Sequence, residues 1–305
     1  IAWGYYMKNQ SKVALPYLIK SINLAVNNNN ENIASQNYVF LAKIYEELSN
    51  PDSINRYINL ALEIAIKNKD TSQISYCYRT LGMVFFNKAC VKEAKQYFIK
   101  AIALDSLTGD TLQYAYDYFR MGEFISINAE KKEELYTAKK YLTKSVRLQD
   151  LINSNDEYHK SNKYLTYGVL ADIFIQIAEL TGNNIYADSC FYYIKKSIDY
   201  FIKQGLIDNA VSCGYTYVKY LKYYKKYDEA LAFLKRQKKY VDDDSSLSSL
   251  RDYYNELKEI YICLNDYKNA YECYDKYTEY READFNDSSM NALAEMKTEQ
   301  AMMIE

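Results

Sequence analysis

The strongest constraint in this sequence is a set of small and large apolar positions that recurs about every forty residues. In the clearest unit these positions are Leu81, Gly82, Phe85, Ala94, Phe98 and Ala101. Forty residues upstream they are Leu41, Ala42, Tyr45, Ile54, Ile58 and Ala61. Five further units keep the same register, two of them after insertions of four and seven residues. Seven units in register predict a repeat architecture rather than one globular core.

The spacing within a unit has a physical cause. A small residue and a large one three positions later lie on the same face of a helix. The gap of twelve residues from Gly82 to Ala94 spans a short turn into a second helix, where the small side chain lets the two axes approach. The bulky Phe98, four residues further on, fills the space beside them. The sequence therefore predicts stacked helix-turn-helix units in an all-α solenoid.

The array is expected to span residues 1–285, and residues 286–305 are expected to form a C-terminal helix. The predicted units are 1–30, 35–68, 72–107, 111–152, 158–204, 208–241 and 247–283. In the last segment, Leu293, Met296, Gln300 and Met303 recur at the three-four-three spacing of a coiled-coil seam. Two interpretations stay open: this helix dimerises and passes a signal onward, or it caps the seventh unit.

The recurring pattern of small and large positions, clearest at Leu81, Gly82 and Phe98, resembles the tetratricopeptide repeat (TPR) and covers residues 1–285. The period of forty is longer than the usual thirty-four. The sequence also departs from the family pattern at Lys258, which occupies a small position, and in lacking proline at the unit ends. The resemblance implies a right-handed α-solenoid whose first helices line a concave groove that binds a protein or peptide.

In such a groove, the exposed positions lie six and three residues before the small anchor and one and four residues after it. The partner-binding residues expected from this rule are Tyr76, Arg79, Met83, Phe86, Tyr116, Phe119, Glu123, Tyr215, Lys219, Lys222, Asp252, Asn255 and Glu259. Aromatic residues and arginine in a concavity are typical of interface hot spots. The alternative is that neighbouring units bury some of these side chains. Chaperone-binding members of the family clamp a carboxylate with Lys and Asn, but Val39, Arg79 and Phe119 stand at those places, so that ligand is not supported.

The sequence offers little for catalysis. Its one histidine, His159, excludes zinc sites that need two imidazoles, and no glycine-rich phosphate-binding motif is present. We therefore expect a non-catalytic protein with no cofactor and no metal. An enzyme centred on His159 is the alternative, and it would require turnover that His159→Ala removes.

The net charge and the cysteine spacing restrict the possible binding partners only weakly. The net charge of −2 gives no global signature of nucleic-acid binding, and the basic stretch Lys219–Lys239 is interrupted by Asp228-Glu229. We expect no direct nucleic-acid binding by this stretch of chain. Among the six cysteines no C-x-x-C pair occurs. Cys263 and Cys273 flank one turn, and both a disulfide and two buried thiols fit that placement.

A long TPR array that runs into a Met- and Glu-rich helix resembles the sensor portion of certain bacterial signalling or transcription regulators. Neither a membrane-spanning run nor an initiator methionine is present, and both ends read as positions within a longer protein. The sequence favours a non-catalytic sensor or scaffold module. The alternative is a free-standing cytoplasmic, peptide-responsive regulator or assembly scaffold. The location is expected to be periplasmic if a membrane span follows Glu305, and otherwise cytoplasmic.

Overall fold

The computed structural model describes residues 1–6, 11–47, 51–88, 90–152, 156–244 and 246–304. Within those ranges every regular element is an α-helix, which confirms the predicted all-α class. The fourteen described helices are α1 (Ala2–Tyr6), α2 (Ser11–Asn27), α3 (Glu31–Glu47), α4 (Pro51–Lys67), α5 (Thr71–Asn87), α6 (Val91–Thr108), α7 (Thr111–Ile127), α8 (Lys132–Asp150), α9 (Glu157–Thr181), α10 (Asn184–Gln204), α11 (Ile207–Tyr223), α12 (Tyr227–Asp244), α13 (Leu247–Cys263) and α14 (Tyr267–Ile304).

The chain divides into two compact units. The first contains Ile1–Asp117 and Ser289–Glu305, and the second contains Tyr118–Ser288. In the first unit α3 packs against α4 and α5 against α6; in the second, α10 packs against both α9 and α11. Each predicted repeat corresponds to two consecutive helices.

The C-terminal segment differs from its expected form. Helix α14 continues without a break from the seventh repeat into residues 286–304, so no separate helix begins there. A long helix has no need of a new start signal when neither proline nor glycine interrupts it. The predicted seam residues Leu293, Met296, Gln300 and Met303 lie outside the residues whose side chains are described.

In two of the repeats, the helix pair is held close by a glycine that faces a large side chain. A Cβ atom added at Gly82 would come within 2.8 Å of the Phe98 ring, and one added at Gly122 would come within 2.6 Å of Leu142. Phe98 and Leu142 are themselves buried. These contacts join the first and second helices of two repeats, as the spacing predicts.

Stacked aromatic rings run along the helix pairs at the repeat interval. Tyr5 stacks on Tyr17, Tyr45 on Tyr57 and Phe85 on Tyr97, at centroid distances of 5.5, 5.6 and 5.4 Å. In the second unit Phe174 stacks on Tyr193 at 5.7 Å. Each ring pair joins a first helix to a second one, and such pairs add stability beyond the area they bury. Many of the 36 tyrosines therefore have a structural role.

Several helices end in one left-handed residue. Asn29, Lys69, Lys225 and Asn265 have φ between 54° and 59°, and Gly205 has φ 71°. The backbone N–H of each left-handed residue and that of the next residue donate to carbonyls in the last turn, as when Lys225 donates to the Lys222 carbonyl and Lys226 to the Leu221 carbonyl. This is the Schellman arrangement, in which glycine avoids the steric cost that a side chain brings.

Replacing Gly82 by alanine is expected to lower the free energy of unfolding by about 1–3 kcal/mol, because the new methyl overpacks the Phe98 ring. Adding Phe98→Leu should recover part of the loss. Gly4→Ala is the matched control, since no described atom lies within 4 Å of its added Cβ. Urea unfolding of the native protein, the two single glycine variants and the double variant measures the free energy of unfolding. Equal losses from Gly82→Ala and Gly4→Ala would contradict the close-approach explanation.

At the left-handed residues we expect introducing a glycine to stabilise the protein and removing one to destabilise it. Lys225→Gly should raise the free energy of unfolding by about 0.5–1 kcal/mol, and Gly205→Ala should lower it by about 1 kcal/mol. The control is Lys203→Gly in the last turn of α10, which should destabilise because its backbone is helical. Urea midpoints of the three variants test this. Destabilisation by Lys225→Gly would show that the lysine side chain matters more than its φ.

Candidate functional site

The second unit contains a groove of about 450 Å³ along the first helices of four successive repeats. The four helices are α7, α9, α11 and α13. The residues that line it are Glu123, Ser126, Ile127, Leu165, Gly168, Val169, Asp172, Asn209, Ser212, Cys213, Tyr215, Thr216, Lys219, Asp252, Asn255 and Glu256. Its volume lies within the roughly 300–1,000 Å³ typical of ligand-binding clefts.

Five of the expected partner-binding residues meet in this groove. They are Glu123, Tyr215, Lys219, Asp252 and Asn255. Two further members of the expected set, Lys222 and Glu259, are half-buried and do not line it. Because α9 packs directly against α11, successive first helices present the same positions side by side.

The groove also contains residues that the sequence analysis did not single out. Leu165, Gly168 and Asp172 occupy the positions six and three before and one after Ala171, the small anchor of the fifth repeat. The rule used for the other repeats identifies them when it is applied to α9 as well. Glu256 follows no such rule, and only the packing of α13 reveals it.

Charge in the groove is mostly negative. Four carboxylates and one ammonium line it. The Lys219 Nζ atom lies 2.7 Å from Asp172 Oδ1. Burial opposes the charged form of Lys219, but the neighbouring Asp172 carboxylate outweighs it and raises the Lys219 pKa. Two cations outside the lining pair with two further carboxylates, Arg120 with Glu123 and Arg251 with Asp252, each at 2.8 Å, so three of the four carboxylates have a cationic partner.

Glu256 is the least satisfied of these carboxylates. Its Oε2 atom is buried and has no hydrogen-bond partner among the described residues. Burial raises the pKa of Glu256, while Lys222 and Lys219 act in the opposite direction. A buried oxygen with unused hydrogen-bonding capacity is costly unless a ligand donates to it. Glu256 is therefore a place where a bound donor would contribute affinity.

The first unit holds Tyr76, Met83, Phe86 and Tyr116, and all four are half-buried. Arg79 differs from them, because it is buried, with 5% of its surface exposed. Its guanidinium donates to Asp105 at 2.6 Å, to Gln113 at 2.8 Å and to Asp117. In the second unit Phe119 is buried as well.

Arg79 and Phe119 are therefore corrected from partner-binding positions to internal ones. The repeat spacing specifies which helix face a residue occupies, but it does not specify how deeply a neighbouring helix covers that face. Arg79 joins α5 to α6 and α7 within the first unit. Replacing Arg79 would leave two buried carboxylates without their cation.

Two carboxylates share that single guanidinium. Burial raises the pKa of Asp117 to about 7; Arg79 acts against this rise, and the Asp105 carboxyl adds to it. The main cause is burial in a site largely closed to water, where two carboxylates also share one cation. A proton taken up by Asp117 leaves one negative charge for that cation.

The residues considered for other chemistry lie apart from the groove. His159 is in the first turn of α9, with Nε2 3.6 Å from Asp156 Oδ2. Cys263 and Cys273 are both free thiols. Across the described residues no three His, Cys, Asp or Glu side chains are grouped so as to hold a metal ion. Nor does any helix described above combine the length and apolar character needed to cross a membrane.

Comparisons with known proteins identify the fold. No protein-family model matches the chain, and no curated protein matches it by sequence. The apo form of RapI is similar with a TM-score of 0.72 and 12% identity, over 92% of this chain and 95% of that one. A Rap protein complexed with Competence and Sporulation Factor gives a TM-score of 0.67 and 11% identity, over 95% and 74%.

A third similar structure is a Signal Transduction ATPase with Numerous Domains (STAND) from Pyrococcus horikoshii, which has a tetratricopeptide repeat sensor. It gives a TM-score of 0.64 and 17% identity, over 97% of this chain but 43% of that protein. At these identities the likeness shows a shared fold. The chain has a TPR-like, all-α repeat fold, which confirms the fold predicted from the positions around Leu81 and Gly82.

The Asp117 cluster predicts a pH dependence. Between about pH 4 and pH 7 the folded state binds more protons at Asp117 than the unfolded state does, so this residue makes stability fall as pH rises. Asp117→Asn should flatten that slope and stabilise the protein above about pH 7. Urea unfolding across this range measures it, with the exposed Glu93→Gln as control. An unchanged slope in Asp117→Asn would contradict the assigned proton.

Proposed function

We propose that the chain is a non-catalytic TPR-like module that binds a protein or peptide segment in the groove of its second unit. The observation that supports this is the convergence of polar side chains from four successive first helices on one cleft. Acidic groups, serines, threonine and asparagines together provide many hydrogen-bonding groups, while Leu165, Val169 and Tyr215 provide apolar contact.

The charge of the groove indicates the ligand class. Arg120 and Arg251 already pair with Glu123 and Asp252, so the argument rests on Glu256, whose buried Oε2 has no hydrogen-bond partner among the described residues and favours a segment that brings a positive charge. Glu256 would accept from a ligand ammonium, guanidinium or amide, and Asn255 has both a donor and an acceptor for a peptide backbone. Lys219 remains tied to Asp172 and would orient the carboxylate rather than attract an anion.

The remaining expected residues are proposed as secondary contacts. Lys222 and Glu259 are on α11 and α13, the helices that line the groove. Tyr76, Met83, Phe86 and Tyr116 are proposed to form a second partner surface within the first unit, where their half-buried rings and thioether would pack on apolar ligand groups.

The biological role is proposed to be that of a sensor or scaffold in a bacterial signal-transduction or transcription-regulating protein. The similarity to a STAND protein with a TPR sensor supports a module within a larger chain. The match to nearly all of RapI supports the alternative, a free-standing regulator. Binding in the groove would shift the relative population of helix arrangements, which is how such a module would transmit a signal.

Neutralising the groove tests the binding proposal. The triple variant Glu123→Gln, Asp252→Asn, Glu256→Gln should weaken binding of net-positive peptides at least tenfold, since it removes three of the four carboxylates. The probes are randomised short peptide pools of positive, zero and negative net charge, titrated by fluorescence anisotropy. The matched control neutralises three exposed carboxylates elsewhere: Glu133→Gln, Asp199→Asn and Glu272→Gln.

Preferential binding of the positive pool by the native protein and the control, but not by the groove variant, supports the proposal. Equal binding of all pools, or unchanged affinity in the groove variant, contradicts it. Circular dichroism confirms that each variant keeps its helices. The coding sequence before Ile1 and after Glu305 then distinguishes the roles: an apolar stretch of about 20 residues followed by an output domain supports the sensor.

A further inference from the structure

A second cavity, of about 610 Å³, lies between α10, α11 and α12 in the second unit. It shares no residue with the groove described above. Its apolar wall consists of Ile198, Ile202, Ile207, Val211 and Phe233. Ile202 is exposed over 51% of its surface. An apolar ligand body placed there would remove that surface from water.

The rim of this cavity is positively charged. Lys235, Arg236 and Lys239 line it, and no described lining residue is acidic. None of the three forms a salt bridge with a described carboxylate, whereas the neighbouring Lys238 is paired with Asp242 at 2.6 Å. Residues 235 and 239 are one helical turn apart and lie on the same face. Three cations along one rim favour an anionic group there, although Lys235 also helps to lower the pKa of the Asp266 carboxyl.

A buried amide completes the site. Gln237 also lines the cavity, and only 7% of its surface is exposed. Its Oε1 atom has no hydrogen-bond partner among the described residues. The amide lies over Gly214, where an added Cβ would come within 1.9 Å of Nε2. Gly214 thus gives Gln237 room to lie inward, and an unpaired buried acceptor requires a donor.

We propose that this cavity binds a small amphipathic carboxylate: an aliphatic chain against the isoleucines, a carboxylate at the basic rim and a hydroxyl that donates to Gln237 Oε1. A β-hydroxy fatty acid of medium chain length has these three features. The small number of basic rim residues and the position of the cavity between three helices favour a free small molecule over a membrane surface, which needs a broad basic face.

Isothermal titration with three probes that share one tail tests the site: β-hydroxydecanoate, decanoate and decyltrimethylammonium. The hydroxy acid should bind best, decanoate about fivefold more weakly through loss of one hydrogen bond, and the cation at least tenfold more weakly still. Gln237→Leu should abolish the preference for the hydroxyl while decanoate affinity is kept. That variant also removes an unpaired acceptor, so it should fold.

The rim variant Lys235→Gln, Arg236→Gln, Lys239→Gln should bind both acids at least tenfold more weakly. Its control, Lys195→Gln, Lys203→Gln, Lys268→Gln, changes three exposed lysines that do not line the cavity and should behave as the native protein. Equal binding of acid and cation, unchanged affinity in the rim variant, or no saturable binding below about 1 mM overturns the proposal. The groove variant should bind the acids normally, so the two proposals fail independently.

Discussion

The repeats that contain Gly82 and Gly122 depend on the close approach of two helices at a small residue that faces a large side chain. Gly82 against Phe98 and Gly122 against Leu142 leave no room for an added methyl. Because the second helix is fixed at that distance, the stacked rings can meet, as Phe85 meets Tyr97. The positions next to the small residue then point away from the pair, and they are available to line a surface.

The same helix face serves two purposes. In the second unit it borders a groove, where Asp172 and Lys219 are paired and Glu256 keeps an unused acceptor. In the first unit the corresponding face is closed only at Arg79, whose guanidinium three polar side chains hold in place. The groove in the second unit therefore has an unused acceptor for a ligand. The hydrogen bonds around Arg79 in the first unit are made within the protein and stabilise the packing of its helices.

The sequence predicted the all-α class and the TPR-like repeat because Gly82 and its counterparts recur at a fixed interval. It also predicted five groove residues, Asn255 among them, because the offset from an anchor determines the helix face. It did not predict the burial of Arg79 and Phe119, since depth depends on which helix lies opposite. Nor did it indicate the Gln237 cavity, because Ile198 and Lys239 come from different repeats and meet only through packing.

Asn29, Lys69 and Gly109, three of the left-handed turn residues, are forty residues apart, and the stacked rings between them keep that interval. The stretch from one left-handed residue to the next is consequently one complete structural repeat. Excising residues 30–69 would join Asn29 to Asp70, which already follows a left-handed residue in the native chain. The junction and the ring stacks would be re-formed together, so whole periods of forty residues are the natural increments by which such a chain lengthens or shortens during evolution.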